Sequence, residues 1–203
     1  MKTIIKNISI LSQNDNKNFI ERGFIVIENQ NIIQIASMED YIEETHIEET
    51  SEVIDGKGKY LVVPGFINAH THIAMTLFRG YADDLPFWTW LTKRIWPQEN
   101  KLNGEDAYWG TLLGIIEMIK TGTTTFNDMY MFMDHTARAV DESGIRAYLS
   151  RGLQGTNDNS IIGLKENREL FVNWHNKAEG RIKVMVGPHA IYTCDPTFWQ
   201  EVK

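Results

Sequence analysis

The chain has 203 residues and a single cysteine, Cys194. One thiol excludes an internal disulfide and a thiolate zinc cluster, and it fits a reducing compartment, so a cytoplasmic location is expected. No apolar run reaches the roughly 18 residues that a membrane helix requires. The opening Met1-Lys2-Thr3-Ile4-Ile5-Lys6 interrupts its apolar stretch at Lys6 and shows no small-residue cleavage pattern, so neither export nor membrane insertion is expected. A basic excess is also missing. The 20 Lys and Arg face 27 Asp and Glu, a net charge of −7, and no basic patch argues for nucleic acid. The acidity is local, because Glu39, Asp40, Glu43, Glu44, Glu48, Glu49, Glu52 and Asp55 follow one another with no Lys or Arg between them. This run lacks the glycine and the ligand spacing of a calcium loop and reads as a solvated face near a domain edge.

The 42% of apolar residues is enough for a real core. Up to about Tyr60 the pattern is strand-like, with Ile4-Ile5, Ile8 to Leu11, Phe24 to Ile27 and Ile32 to Ile35, the last two forming a hairpin across Asn and Gln. We read residues 1–60 as a small β-rich domain, closed by Gly56-Lys57-Gly58, and residues 61–203 as a second domain in which strands and helices alternate. Helices are expected over Gly104 to Lys120, with Asn103 as N-cap and Gly122 as stop, then over Met131 to Ser143 and Ile161 to Ala178, with another starting at Asp195-Pro196. Strands are expected at Leu61, Thr123 to Asp128, Ile145 to Ser150 and Ile182 to Gly187. Such alternation implies parallel βαβ units, four of them from Leu61 onward. They make either half of an eight-fold barrel, which when complete needs about 250 residues, or a small open sheet.

The sharpest chemical feature is Pro64-Gly65-Phe66-Ile67-Asn68-Ala69-His70-Thr71-His72. Side chains two apart on a strand point the same way, so His70 and His72 present two imidazoles from a strand's C-terminal end, where barrel enzymes keep their sites. Neutral imidazole suits zinc, iron, nickel or copper. A catalytic metal usually takes three protein ligands and an open position, and His189 and Asp128 are candidates to complete the set. His135 reads as a helix residue, and His46 and His175 as surface residues.

The stretch from His70 through Leu77-Phe78-Arg79-Gly80 to Asp83-Asp84-Leu85-Pro86, continued by Trp90-Leu91 and Ile95-Trp96-Pro97-Gln98-Glu99, resembles the amidohydrolase superfamily. Within it the sequence is most similar to the 5-methylthioadenosine/S-adenosylhomocysteine deaminases. Thr121-Gly122-Thr123-Thr124-Thr125-Phe126-Asn127-Asp128-Met129-Tyr130, Arg151-Gly152-Leu153 and Gly187-Pro188-His189-Ala190 carry the resemblance onward in order.

The resemblance implies an α/β fold: the N-terminal half of a (β/α)8 TIM-type barrel, strands one to four, preceded by part of a small β-sandwich. It implies that His70 and His72 are the first two ligands of one divalent metal, zinc first, with iron, nickel or manganese as alternatives. Glu99, Arg151 and His189 match positions that contact substrate, Glu99 as acceptor for a ribose diol, and Trp90 matches an aromatic wall beside the ligand. The implied activity is hydrolytic deamination of an adenosine-type nucleoside, a small-molecule substrate. The family's third metal histidine, its catalytic glutamate, a further histidine and a metal-bound aspartate belong to later barrel strands, so no catalytic proton shuttle is expected within this chain. Members that bind an amino-acid tail can offer a second arginine where this chain reads Ile161-Ile162-Gly163-Leu164-Lys165; Arg168 is the candidate substitute, and the resemblance does not extend to a preference for the longer substrate. Hydrolysis of guanine, other aminopurines or triazines, and a non-catalytic fragment, remain the alternatives. Homo-oligomerisation is left open.

Overall fold

The computed structural model describes residues 2–13, 19–43, 51–155 and 159–202. His46 and, from the acidic run, Glu44, Glu48 and Glu49 lie outside them, while Glu39, Asp40, Glu43, Glu52 and Asp55 are exposed. The chain forms two compact units, Met1–Pro64 and Gly65–Lys203.

In the first unit β1 (Lys2–Leu11), β2 (Phe19–Glu28) and β3 (Asn31–Ser37) form an antiparallel sheet in the order β3-β2-β1. The expected hairpin is β2–β3, closed by two residues with Asn29 left-handed at φ 53°, a conformation that asparagine tolerates. The two apolar runs of β1 are one strand bent at Asn7, where the register with β2 shifts. Its first half pairs in parallel with β4 (Glu52–Asp55) and its second half with β5 (Leu61–Val62). Gly56 makes the passage between them, since a Cβ there would lie 2.4 Å from Ile8 and 2.9 Å from the Asn7 carbonyl. Leu61 therefore does not begin the barrel. It pairs with Ser9 in the first unit, and Pro64, which has no N–H to donate to a ladder, separates it from the next strand.

The second unit is a singly wound α/β sheet. Strands β6 (Phe66–Thr71), β7 (Thr123–Tyr130) and β8 (Arg146–Leu153) run parallel in sequence order, followed by β9 (Ile182–Val184) and β10 (Gly187–Pro188), both on β8. Sequential order with no reversal is the arrangement of a barrel, whereas doubly wound sheets contain a switch point. The strand expected at Ile182 to Gly187 is thus two short segments. Between β6 and β7 lie a 3-10 turn (Ile73–Phe78), a helical stretch of α1 (Phe87–Trp90), a π turn (Leu91–Ile95) and α2 (Trp96–Glu99), and then α3 (Gly104–Lys120). Asn103 caps α3 by accepting from the amides of Glu105 and Asp106 while Asp106 accepts from Asn103, a reciprocal capping box. Helices α4 (Met133–Ser143), α5 (Asn159–Trp174) and α6 (Pro196–Glu201) complete the unit. Phe126, Ala147, Leu149, Ile182 and Val184 from the strands meet Ala107, Ile115, Ala137, Val140 and Leu170 from the helices in one core. The opposite face of β7 lines a cavity of about 200 Å³ through Asn127 and Met129, with His70, Ser150 and His189.

Candidate active site

The pair of histidines stands where β6 ends. Its ladder with β7 is irregular there: Asn68 opposes Phe126, yet Thr71 opposes Asp128, so β6 carries one residue more than its partner. Bulges of this kind re-aim side chains beside active sites. The rings of His70 and His72 lie 5.1 Å apart between centroids. Nδ1 of His72 is 2.6 Å from the Met129 carbonyl oxygen. A carbonyl only accepts, so Nδ1 carries the proton and Nε2 keeps its lone pair, the arrangement of a metal-ligating histidine with its outer partner.

His72, Trp90, Glu99, Arg151 and His189 all line one cavity of about 260 Å³. His70 lies on the neighbouring cavity together with His189. Glu99 sits at the end of α2, buried, and accepts from the Tyr130 hydroxyl at 2.8 Å. Burial pushes its carboxyl above the usual carboxylate range, opposed by the Tyr130 hydrogen bond and the nearby His72. Burial and the adjoining Glu99 likewise push the Tyr130 hydroxyl up, so it remains a donor. His189 is held below the usual histidine range, first by burial and then by His72 and His70. Its Nδ1 is 2.9 Å from the Thr193 hydroxyl, which itself donates to the Ala190 carbonyl at 3.2 Å. With that proton spent, Nδ1–H of His189 is the donor and Nε2 is an acceptor. Arg151 is not free: Nε pairs with Glu166 of α5 at 2.5 Å, and Nη1 donates to the Gly152 carbonyl at 2.7 Å.

The walls are apolar and aromatic. Trp90 lies 6.1 Å from Phe87, and Tyr192 stands 5.9 Å from His189. Tyr130 closes one of the runs that carry the resemblance and Tyr192 stands three residues beyond His189, yet residue type alone marks neither as a site residue; the alternation of β7, which puts Tyr130 on the same face as Asp128, is the available signal for the first.

Asp128 does not join the histidines as a third ligand, and no group of three His, Cys, Asp or Glu able to hold a metal occurs among the described residues. His135 lies in α4, as read, 3.7 Å from Glu105. His175 is half-buried, its Nδ1 accepting from the Val184 amide. Two neighbouring imidazoles, one with its tautomer set from behind, are a donor set that fits a borderline divalent metal and supply two of the usual three ligands.

A parallel sheet wound in sequence order, with its polar side chains gathered at the C-terminal strand ends, defines this unit as part of a (β/α)8-type enzyme fold. The amidohydrolase family model matches residues 61–203, and the chain belongs to that family. It is 49% identical over its whole length to a 5-methylthioadenosine/S-adenosylhomocysteine deaminase of Syntrophomonas wolfei, of which it covers 46%. Among solved structures it superimposes on an adenosine deaminase from Xanthomonas campestris with bound zinc, with a TM-score of 0.88 at 27% identity, covering 98% of this chain and 45% of that one. It also shares its fold with atrazine chlorohydrolase from Arthrobacter aurescens TC1 complexed with zinc, with a TM-score of 0.84 at 17% identity over 98% of this chain and 49% of that one. The chain therefore spans about half the length of the relatives it matches.

Proposed function

We propose that this chain forms the first half of a metal-dependent aminohydrolase that converts 5-methylthioadenosine, S-adenosylhomocysteine or a similar adenosine-type nucleoside into its inosine analogue and ammonia. The observation that carries the reading is the single cavity shared by His72, Trp90, Glu99, Arg151 and His189. Identity to a relative of that name supports the substrate class.

His70 and His72 would hold one divalent metal, zinc by analogy with the adenosine deaminase neighbour, and the metal would supply a water acidic enough to act as nucleophile at neutral pH. Glu99 accepts hydrogen bonds from the ribose diol through the oxygen that Tyr130 leaves open. Neutral His189 offers Nε2 as an acceptor to the same nucleoside. Trp90 and Phe87 stack on an aromatic face and keep water from the base, and Arg151 stands at the cavity wall with most of its charge answered by Glu166. That neutralisation favours an uncharged 5′-thioether over a tail bearing a carboxylate. The protein acts in the cytoplasm, a reading supported by the buried free thiol of Cys194.

The test is ammonia release from 5-methylthioadenosine, S-adenosylhomocysteine, adenosine and guanine, with zinc added. The catalyst is a chimera in which this chain replaces the matching part of the Syntrophomonas wolfei relative. Turnover of the adenosine analogues with guanine inert is the expected result. Turnover of guanine in their place would overturn the assignment, because a carboxylate prepared for a diol has no role with a free base.

A further inference from the structure

Asp128 is fully buried on β7 and takes no part in the chemistry assigned above. Its Oδ1 accepts two hydrogen bonds, from the Thr71 hydroxyl at 2.7 Å and from the Ile73 amide at 2.8 Å. Those two donors flank His72 on either side. Oδ2 is buried with no hydrogen-bond partner, and an unanswered buried acceptor costs roughly 1–3 kcal/mol. The carboxylate's contacts are thus made through one oxygen, and both end on the segment that carries the histidine.

The backbone explains why such a tie is needed. The β6–β7 ladder is interrupted between Asn68 and Thr71, resumes at Thr71 opposite Asp128 and ends there, so main-chain pairing skips Ala69 and His70 and does not reach His72. Side chains take over: Thr71 also reaches the Asn127 carbonyl at 2.9 Å, and Asn127 donates to the Ala69 carbonyl at 3.1 Å. Beyond Thr71 the chain turns at once into the 3-10 segment, with His72 in its N-cap position and making no side-chain cap of its own. Asp128 supplies that cap from the neighbouring strand, through the Ile73 amide.

We propose that Asp128 is a positioning residue: by pinning Thr71 and Ile73 with one oxygen it seats His72 so that Nδ1–H meets the Met129 carbonyl and Nε2 is left as the ligand atom. The inference rests on His72 being a metal ligand for its consequence, and on the chain's own geometry for its substance.

The test uses the chain itself, labelled with nitrogen-15, at pH 8. Long-range proton–nitrogen correlation spectra report the His72 tautomer, and a cobalt(II) titration reports affinity. Wild type shows Nδ1 protonated. Asp128→Asn keeps an acceptor oxygen of the same shape and retains both the tautomer and the affinity to within about threefold. Asp128→Ala gives mixed tautomers and binds cobalt 10- to 100-fold more weakly, the usual scale for a lost outer partner. Thr71→Val removes one of the two donors without touching the buried carboxylate and shifts the tautomer in the same direction; it carries the test if Asp128→Ala does not fold. An Asp128→Ala chain with native circular dichroism and an unchanged His72 tautomer would overturn the proposal. So would Asp128→Asn behaving like Asp128→Ala, or a Thr71→Val chain indistinguishable from wild type. If wild type shows the fixed tautomer, the variants lose it, and no chain binds cobalt, the metal-ligand reading fails while the positioning role stands.

Discussion

Strands β6 and β7 lie side by side in one sheet and carry opposite kinds of work. In β7 alternate residues Phe126, Asp128 and Tyr130 are buried, Phe126 completely, beneath helices packed on that face. In β6 none is buried: Phe66 is 60% exposed and Ile67 71%, because among the described residues β6 pairs on one side only, with β7. The histidine pair nevertheless sits at the end of this uncovered strand. Chemistry is thus carried at an edge, and its rigidity is borrowed from the strand beside it through Asp128, Asn127 and the Met129 carbonyl.

If that division holds, removing a ligand and removing a core side chain give opposite signatures. His72→Ala in the chimera lowers ammonia release by at least about 10³-fold, since without a metal no hydroxide is supplied at neutral pH. In the chain alone the same change lowers the unfolding free energy, from urea titration, by about 1 kcal/mol or less, the scale of one hydrogen bond. Phe126→Ala costs about 3–5 kcal/mol in the same urea titration, whereas Phe66→Ala, the same deletion one strand away, stays within about 0.5 kcal/mol. Equal losses at the two phenylalanines would show that β6 is covered in solution by another copy. Gel filtration would detect this directly, since an open apolar edge invites pairing.

The comparison is sharpened by pH. Burial raises the Asp128 carboxyl from 3.8 to about 6, so the folded state holds this proton more tightly than the unfolded chain. Its penalty is absent below about pH 4, grows through the interval and is complete above about pH 6, so stability falls as pH rises from 4 to 7. The difference between wild type and Asp128→Asn should change by an amount on the order of 3 kcal/mol across that window, measured by urea unfolding at each pH. A flat difference would mean that Asp128 is solvated and not buried. The smallest effect concerns Arg151. Glu166→Ala releases its guanidinium, and the ratio of kcat/KM for S-adenosylhomocysteine over 5-methylthioadenosine in the chimera should rise by about fivefold at most, because this ion pair is half exposed and such pairs contribute up to about 1 kcal/mol.

Much of the second unit was legible because its signals are local. The capping box at Asn103, the glycine after Ser143 and the aspartate ahead of Pro196 each set an element end through bonds spanning a few residues. The face of α3 that is buried was not legible. Of its apolar residues Tyr108 and Ile115 are buried while Trp109, Leu113 and Ile116 are exposed, and Gly110 and Gly114 share the packed face. A Cβ at Gly110 would lie 2.6 Å from the Ala74 carbonyl, and one at Gly114 would lie 2.5 Å from Ile73. Glycines on the packed face add nothing to a hydrophobic period, so the period alone does not separate the buried apolar residues from the exposed ones.

The candidate site divides in the same way. The residue types and order of His70, His72, Glu99, Arg151 and His189 are written in the chain, and so is the alternation that makes parallel strands. The meeting of His72, Glu99, Arg151 and His189 in one cavity with His70 on the next, the occupation of Arg151 by Glu166, the Tyr130 bond to Glu99 and the diversion of Asp128 from ligand to clamp depend on contacts between residues 15 to 57 positions apart. Such contacts have no local energetic signature. They exist only once the sheet has brought the strand ends together, so tertiary structure alone decides what each of these side chains has left to offer a substrate.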